Sequence, residues 1–345
     1  MQSLWYIFLR LYVRWGLHFF FRKIILHGRE NIPAGPVIFA ANHQNAFLDA
    51  LMIVCFNSHR THFLARADIF QKTILRWLLS TLNMIPIYRI RDGWHSLNEN
   101  QKTFDSCYRL FTHNDAVVIF PEGNHGNMRR LRHLSKGFTR IAFDSLQKNP
   151  DLNISIVPVG LNYSDHQAFR GSVSVYFGKP ITAMDYFKEP YPVEAGHLRD
   201  ELSLRLRNLT THIENTEQYS VILSKLEKVD SDFLNPTQTN ERVAILERGE
   251  SISINPSQNR APSLLSRCLH FPVLLINLIP LILWWKIRLG IKDPVFVASL
   301  KFGFGIVVFP LYYFLVGALI YWLFGGVATA AWLAISLTSM LFYKD

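Results

Sequence analysis

Three cysteines in 345 residues, Cys55, Cys107 and Cys268, lie far apart and form no CxxC pair. That scarcity excludes a disulfide framework or a cysteine zinc site and fits a reducing, cytosol-facing compartment. Glycine fingerprints are missing as well: Gly28, Gly35 and Gly93 stand alone, with no P-loop and no dinucleotide-binding pattern. His62, His95, His113, His125 and His133 show no HExxH or other tight ligand spacing, so no metal is expected. Acidic residues number 26 against 36 lysines and arginines, a net charge of +10. Nucleic acid, anionic lipid and phosphorylated substrates all suit such an excess. Hydrophobic residues at 49 % and aromatics at 14 %, concentrated in the first 25 and last 80 positions, favour a phospholipid membrane over nucleic acid.

The longest absence is of charge itself. Residues 302–343 contain no Asp, Glu, Lys or Arg. As one helix this stretch would run roughly 63 Å, about twice the hydrocarbon thickness of a bilayer. Gly325-Gly326 divides it, predicting a helical hairpin over 302–343 with Lys301 and Lys344 on one side. Lys286, Arg288, Lys292 and Lys301 make the preceding loop basic, which puts that side in the cytosol. The apolar stretch 268–285 contains Pro272, Asn277 and Pro280 and reads as re-entrant or interfacial rather than a single crossing. Residues 1–21 do not read as a signal peptide, because Arg10 and Arg14 interrupt the apolar run. They predict instead an amphipathic membrane-associated helix with its arginines near phosphates, or a helix packed on the core.

Between these ends the pattern is that of an α/β domain. Val37–Ala41, Ala116–Phe120, Ile154–Val159 and Val173–Phe177 read as strands, and 68–83, 94–114, 136–148 and 194–226 as helices. Residues 228–262 are polar and read as a linker, with a short helix at 239–248. The organisation expected is therefore an N-terminal helix (1–26), a catalytic domain (27–227), the linker (228–262) and a hydrophobic membrane region (263–345).

Two strings carry chemistry. In Ala40-Ala41-Asn42-His43-Gln44-Asn45-Ala46-Phe47-Leu48-Asp49, a histidine follows a strand-like run, where α/β folds place reactive groups. Such an imidazole can take a hydroxyl proton near neutral pH, with a carboxylate holding its tautomer. On spacing alone the string is equally a surface turn. In Val117-Val118-Ile119-Phe120-Pro121-Glu122-Gly123-Asn124-His125-Gly126 a buried strand enters a glycine-bearing turn, followed by Arg129, Arg130, Arg132 and Lys136. Backbone amides of such a turn can receive anionic oxygens, but an ordinary strand-turn with a basic tail has the same look. Arg60, Arg66, Arg129, Arg130 and Arg132 are candidates for carrier phosphates or for anionic lipid.

In combination the strings are more specific. His43 and Asp49, Pro86-Ile87-Tyr88-Arg89, Phe120-Pro121-Glu122-Gly123 and Val157-Pro158-Val159 follow the order of the four motif blocks of glycerolipid acyltransferases. The chain resembles the bacterial 1-acylglycerol-3-phosphate acyltransferases. It is more similar still to fungal-type glycerol-3-phosphate acyltransferases, through Gly160-Leu161-Asn162-Tyr163, Phe169-Arg170 and Phe177-Gly178-Lys179-Pro180. The resemblance spans about residues 27–215 and implies an α/β domain with a mixed central sheet. It implies acyl transfer from acyl-CoA or acyl-ACP, as co-substrate and with no cofactor, to glycerol-3-phosphate or its 1-acyl derivative. His43 would be the general base and Asp49 its orienting partner. Arg89, Glu122 and Gly123 would position the acceptor, Pro158 would shape the acyl site, and Lys136 is added as a phosphate contact on charge and position. Five residues separate His43 from Asp49 where most members have four, so His43 must precede the helix and the loop absorb the extra residue. Asn124-His125 stands where many members have Thr-Arg. Another lysolipid or aminolipid acceptor, lipid transacylation, a silent lipid-binding protein and a zinc-dependent lipid hydrolase are the alternatives.

Overall fold

A computed structural model describes residues 4–71, 73–88, 94–252 and 274–342. Its centre is an eight-stranded mixed sheet. The strands are β1 (Lys23–His27), β2 (Val37–Ala41), β3 (Thr61–Arg66), β4 (Met84–Ile87), β5 (Ala116–Ile119), β6 (Ser155–Tyr163), β7 (Ser172–Phe177) and β8 (Ile181–Thr182), in the order β1-β7-β6-β2-β5-β3-β4 with β8 beside β6. From β6 to β4 the strands run parallel, whereas β7 and β8 are antiparallel to β6. Every residue of β2, β5 and β6 is buried. Their unbroken apolar runs fit strands covered on both faces, which need no alternation.

Helices α1 (Leu4–Phe20) and α2 (Phe47–Phe56) cover one face. Helices α3 (Thr73–Thr81), α4 (Trp94–Phe111), α5 (Gly137–Lys148) and α6 (Tyr191–Leu209) complete the α/β layer. Two core clusters lie on opposite sides of the sheet, one around Phe39, Met52 and Tyr163, the other around Ile38, Phe138 and Leu202.

Four expectations change. The helix read over 68–83 is a 3-10 turn, Ala67–Phe70, then α3, with β4 following it at the sheet edge. The helix read over 194–226 is α6 followed by α7 (Tyr219–Lys228). The chain leaves the helix at Thr210 because tertiary acceptors take the next amides: Asn162 Oδ1 for Thr211, Asn240 Oδ1 for His212 and the Arg129 carbonyl for Ile213. The polar stretch from 228 is not a loose linker as far as Ile252. Helix α8 (Pro236–Glu247) is capped by the Asn235 side chain, and Val243 and Leu246 close a small core with Ile222, Leu226 and Phe233. In α1, Arg10 turns inward: its guanidinium donates to the carbonyls of Asn57 and His59, and Arg14 lies over the Phe56 ring. Arg10 is thus held against the domain, whereas Arg14 stays exposed. The outer face of α1 is nonetheless apolar, with Leu4, Phe8 and Trp15 exposed.

The C-terminal region begins, among described residues, with α9 (Leu278–Leu289), followed by α10 (Phe296–Phe342). Helix α10 is broken at Gly325, whose φ of 80° and ψ of −178° are non-helical. The second arm folds back on the first: Thr329 Oγ1 donates to the Gly317 carbonyl at 3.5 Å and Trp332 meets Tyr313 edge-on. The turn sits where the Gly-Gly pair predicted it, while the helix begins six residues before Phe302. Residues 296–338 are long and apolar enough to cross a membrane, with 11 % of their most apolar window buried. Of the stretch 268–285, residues before 274 lie outside the described part. Helix α9 runs antiparallel to the first arm, Trp284 beside Phe304 and Asn277 Oδ1 accepting from Tyr313 at 2.6 Å.

Candidate active site

β2 and β5 pair with Ala40 opposite Ile119, so the residues following each strand emerge side by side at the C-terminal edge of the parallel sheet. His43 leaves β2 and Pro121-Glu122 leave β5. The extra residue between His43 and Asp49 is absorbed as expected: residues 42–46 form a turn ahead of α2, and Ala46 takes a positive φ of 44°.

The turn brings His43 Nδ1 to 2.9 Å from Asp49 Oδ2. Asp49 is fully buried. Its Oδ2 also accepts the amides of Gln44 at 2.8 Å and Asn45 at 2.7 Å, while Oδ1 accepts the Tyr163 hydroxyl at 2.6 Å. A carboxylate offers only acceptors, so the proton of the His43–Asp49 bond belongs on Nδ1 and Nε2 presents a lone pair. Burial and the adjacent Asp49 charge push the Tyr163 phenol well above its ordinary value, which keeps it a donor. His43 stacks on Phe120 with ring centres 4.0 Å apart. Carboxylate below and aromatic ring beside leave the imidazole one orientation.

Glu122 belongs to the same unit, though not as an open ligand. Its side chain is 2 % exposed. Oε1 accepts the His43 amide at 2.9 Å and Oε2 accepts Arg132 Nε at 2.8 Å. Arg132 also donates to the carbonyls of Asn124 and His125. Glu122 thus ties the His43 turn to the 124–132 loop, with both of its oxygens engaged. Gly123 has a φ of 71°, a conformation that glycine favours, and a Cβ there would meet open space. Lys136 is not brought to the site: it precedes α5, and its ammonium donates to the Pro192 carbonyl at the start of α6. Pro158 lies within buried β6 opposite Ala40 and packs towards Gly178, behind the turn rather than in it. Arg89 lies outside the described residues.

Several neighbours escaped the sequence reading. Tyr163 stood in a quoted string without a role. His125 lies edge-on to His43 at 5.6 Å between ring centres and reaches Asp293 Oδ2 at 3.4 Å. Burial and the nearby His43 lower the His125 pKa, against the opposing pull of Asp293. His166 is half-buried, and desolvation and then Arg129 push its pKa down to about 4; its Nε2 faces Gln44 Oε1 at 3.1 Å. From α10, Ser299 Oγ donates to the Asn45 carbonyl at 2.6 Å and accepts the Leu48 amide at 2.9 Å. Arg129 is satisfied internally, on the carbonyls of Tyr163 and Ser164 and over the Phe233 ring. No group of metal-ligating side chains forms among the described residues.

Residues 23–162 match the family model described as Acyltransferase. Over 132 residues the chain is 32 % identical to glycerol-3-phosphate O-acyltransferase 1 of Saccharomyces cerevisiae, covering 35 % of this chain and 17 % of the yeast protein. Glycerol-3-phosphate O-acyltransferase 2 of the same yeast is 26 % identical over 129 residues, 36 % of this chain and 17 % of that one. The chain therefore spans less than a fifth of the length of either relative. The crystal structure of the 1-acyl-sn-glycerophosphate acyltransferase of Thermotoga maritima aligns over 57 % of this chain and 76 % of its own, with a TM-score of 0.42 and 20 % identity. Residues 23–162 thus carry a match to the Acyltransferase family, and over about a third of its length the chain is similar to glycerol-3-phosphate O-acyltransferases.

Proposed function

We propose that the protein transfers a fatty acyl group from acyl-CoA or acyl-ACP to the hydroxyl of glycerol-3-phosphate or 1-acylglycerol-3-phosphate at a membrane. The observation that carries this reading is the 2.9 Å contact of His43 Nδ1 with a buried Asp49 whose two oxygens are both engaged. An imidazole with Nδ1–H pinned on a carboxylate has a basic Nε2 and gains a stabilised imidazolium on protonation. The acceptor hydroxyl would give its proton to Nε2 as its oxygen attacks the thioester carbonyl. Collapse of the tetrahedral intermediate would expel the thiolate, which recovers that proton. No acyl-enzyme is needed.

Glu122 and Arg132 support the turn rather than the substrate, and Arg89 is the residue proposed by resemblance for the acceptor phosphate, as a guanidinium suits one. We place α1 and the α10 hairpin in the membrane, with the basic residues Lys286, Arg288 and Lys292 and the catalytic domain on the cytosolic side. The test is transfer of radiolabelled acyl chains by the purified full chain to glycerol-3-phosphate and to its 1-acyl derivative, with acyl-CoA and acyl-ACP as separate donors. His43→Ala should reduce turnover by about a thousandfold or more while the circular dichroism spectrum and melting temperature are retained. Turnover kept in a folded His43→Ala protein ends the general-base assignment.

A further inference from the structure

A cationic cavity lies at the edge of the sheet opposite the His43 turn. Ser58, His59 and Arg60 precede β3, and Asn114 and Asp115 precede β5, so they gather where the parallel strands begin, whereas His43 and Glu122 stand where strands end. Together with Arg109 and His113 of the neighbouring helix end they line a cavity of about 770 Å³. His59 is 8 % exposed, and its Nδ1 is buried without a hydrogen-bond partner among the described residues. The same is true of Arg60 Nε. His59 Nε2 donates to the Gly35 carbonyl at 3.1 Å, so its Nδ1 presents a lone pair and Arg60 Nε is the donor left without an acceptor. The one carboxylate in the lining, Asp115, is engaged by His62 Nε2 at 3.3 Å. Two guanidinium groups therefore face a space whose one carboxylate, among the described residues of the lining, is already partnered.

A buried donor with no acceptor costs about 1–3 kcal/mol, and a guanidinium is best satisfied by a phosphate, which it can grip with two bonds. We infer that this cavity is a phosphate-binding site, separate from the catalytic edge, for the phosphate of an anionic lipid headgroup or of a soluble phosphate ester. The lining is also bonded to the helix that carries the apolar outer face. Arg10 of α1 donates to the His59 carbonyl at 3.2 Å, and the Thr61 amide donates to the Tyr6 hydroxyl at 3.2 Å. Occupancy would thus brace the strand-start loop against α1.

The full chain in phosphatidylcholine nanodiscs tests this, with hydrogen–deuterium exchange read at 58–60 and 109–115 together with the melting temperature. One arm adds phosphatidate to the nanodisc, and another adds inorganic phosphate against chloride at matched ionic strength. Wild type should gain protection at both segments. Arg60→Gln and the exposed Arg109→Glu should weaken the half-saturating concentration by about tenfold or more, the order expected for a lost charge-assisted bond. Arg109→Glu should keep acyl transfer in phosphatidylcholine alone, and an unchanged melting temperature shows that both variants fold. A response to phosphatidate only identifies a lipid headgroup; a response to inorganic phosphate as well identifies a general phosphate site. No protection in either arm, or protection equal in wild type and in the folded Arg109→Glu variant, overturns the proposal.

Discussion

Asp49 shows how much of this site is spent on one buried charge. Two backbone amides, a phenol and the His43 ring all donate to it. A neutral amide could not accept from all of these donors. Asp49→Asn should turn an NH2 towards at least one of them and favour the wrong histidine tautomer, lowering kcat by about a thousandfold or more, measured beside the melting temperature. His166 makes the same neighbourhood sensitive to acid. Its folded pKa of about 4 lies below the unfolded value of 6.5, so the native state holds it neutral and the unfolded chain binds the proton more readily. Its contribution is complete above pH 6.5 and is lost as pH falls towards 4, up to about 3 kcal/mol at 1.36 kcal/mol per unit. Arg129 sharpens the shift, while Asp49 and Asp165 oppose it. Melting temperature against pH should fall more steeply in this window for wild type than for His166→Gln, and parallel curves would contradict the account.

At the scale of elements, strain sits at the entry to α2. Ala46, at φ 44° and ψ −121°, occupies a region that suits glycine, and its own side chain caps nothing. The position lies in the turn that must fit five residues between His43 and Asp49 while bringing the two side chains together. Ala46→Gly should remove strain of about 1 kcal/mol, partly offset by a looser unfolded chain, and raise the melting temperature with activity retained. A lower melting temperature would argue against strain. The same turn marks how far the sequence could be read. β2 and β5 were legible because Val37–Ala41 and Val117–Ile119 are unbroken apolar runs, and His43 and Asp49 because they are local to one turn. β1 (KIILH) and β3 (THFLAR) were not, since polar residues at their ends disguise short strands. The short helix read at 239–248 corresponds to α8, but its packing was hidden, because a core built from Val243, Leu246 and Phe233 needs partners at Ile213 and Ile222. Lys136 was misjudged for a related reason: position along the chain does not reveal that its ammonium reaches Pro192.

For the molecule as a whole, the telling contact joins residues 254 apart in sequence, and no local pattern announces it. Ser299 of α10 bridges the Asn45 carbonyl and the Leu48 amide, serving as the cap that α2 lacks in its own chain segment. Asp293, just before α10, reaches His125, and Lys301 donates to the Gln167 carbonyl. Phe302 is buried against Phe20. The base of the apolar hairpin is therefore bolted to the turn that carries His43, and the family-matched residues 23–162 are not the whole support of the site. A hairpin serving only as an anchor would be dispensable in detergent. On the geometry described here, a chain ending at residue 252 should lose most of its turnover even when soluble and folded. In the full chain, Ser299→Ala should lower kcat by about tenfold, the order of one lost buried hydrogen bond, and leave KM for the acyl donor unchanged, since Ser299 touches the turn and not the ligand. A truncated enzyme with wild-type kcat in detergent would reduce the hairpin to an anchor and uncouple it from the chemistry at His43.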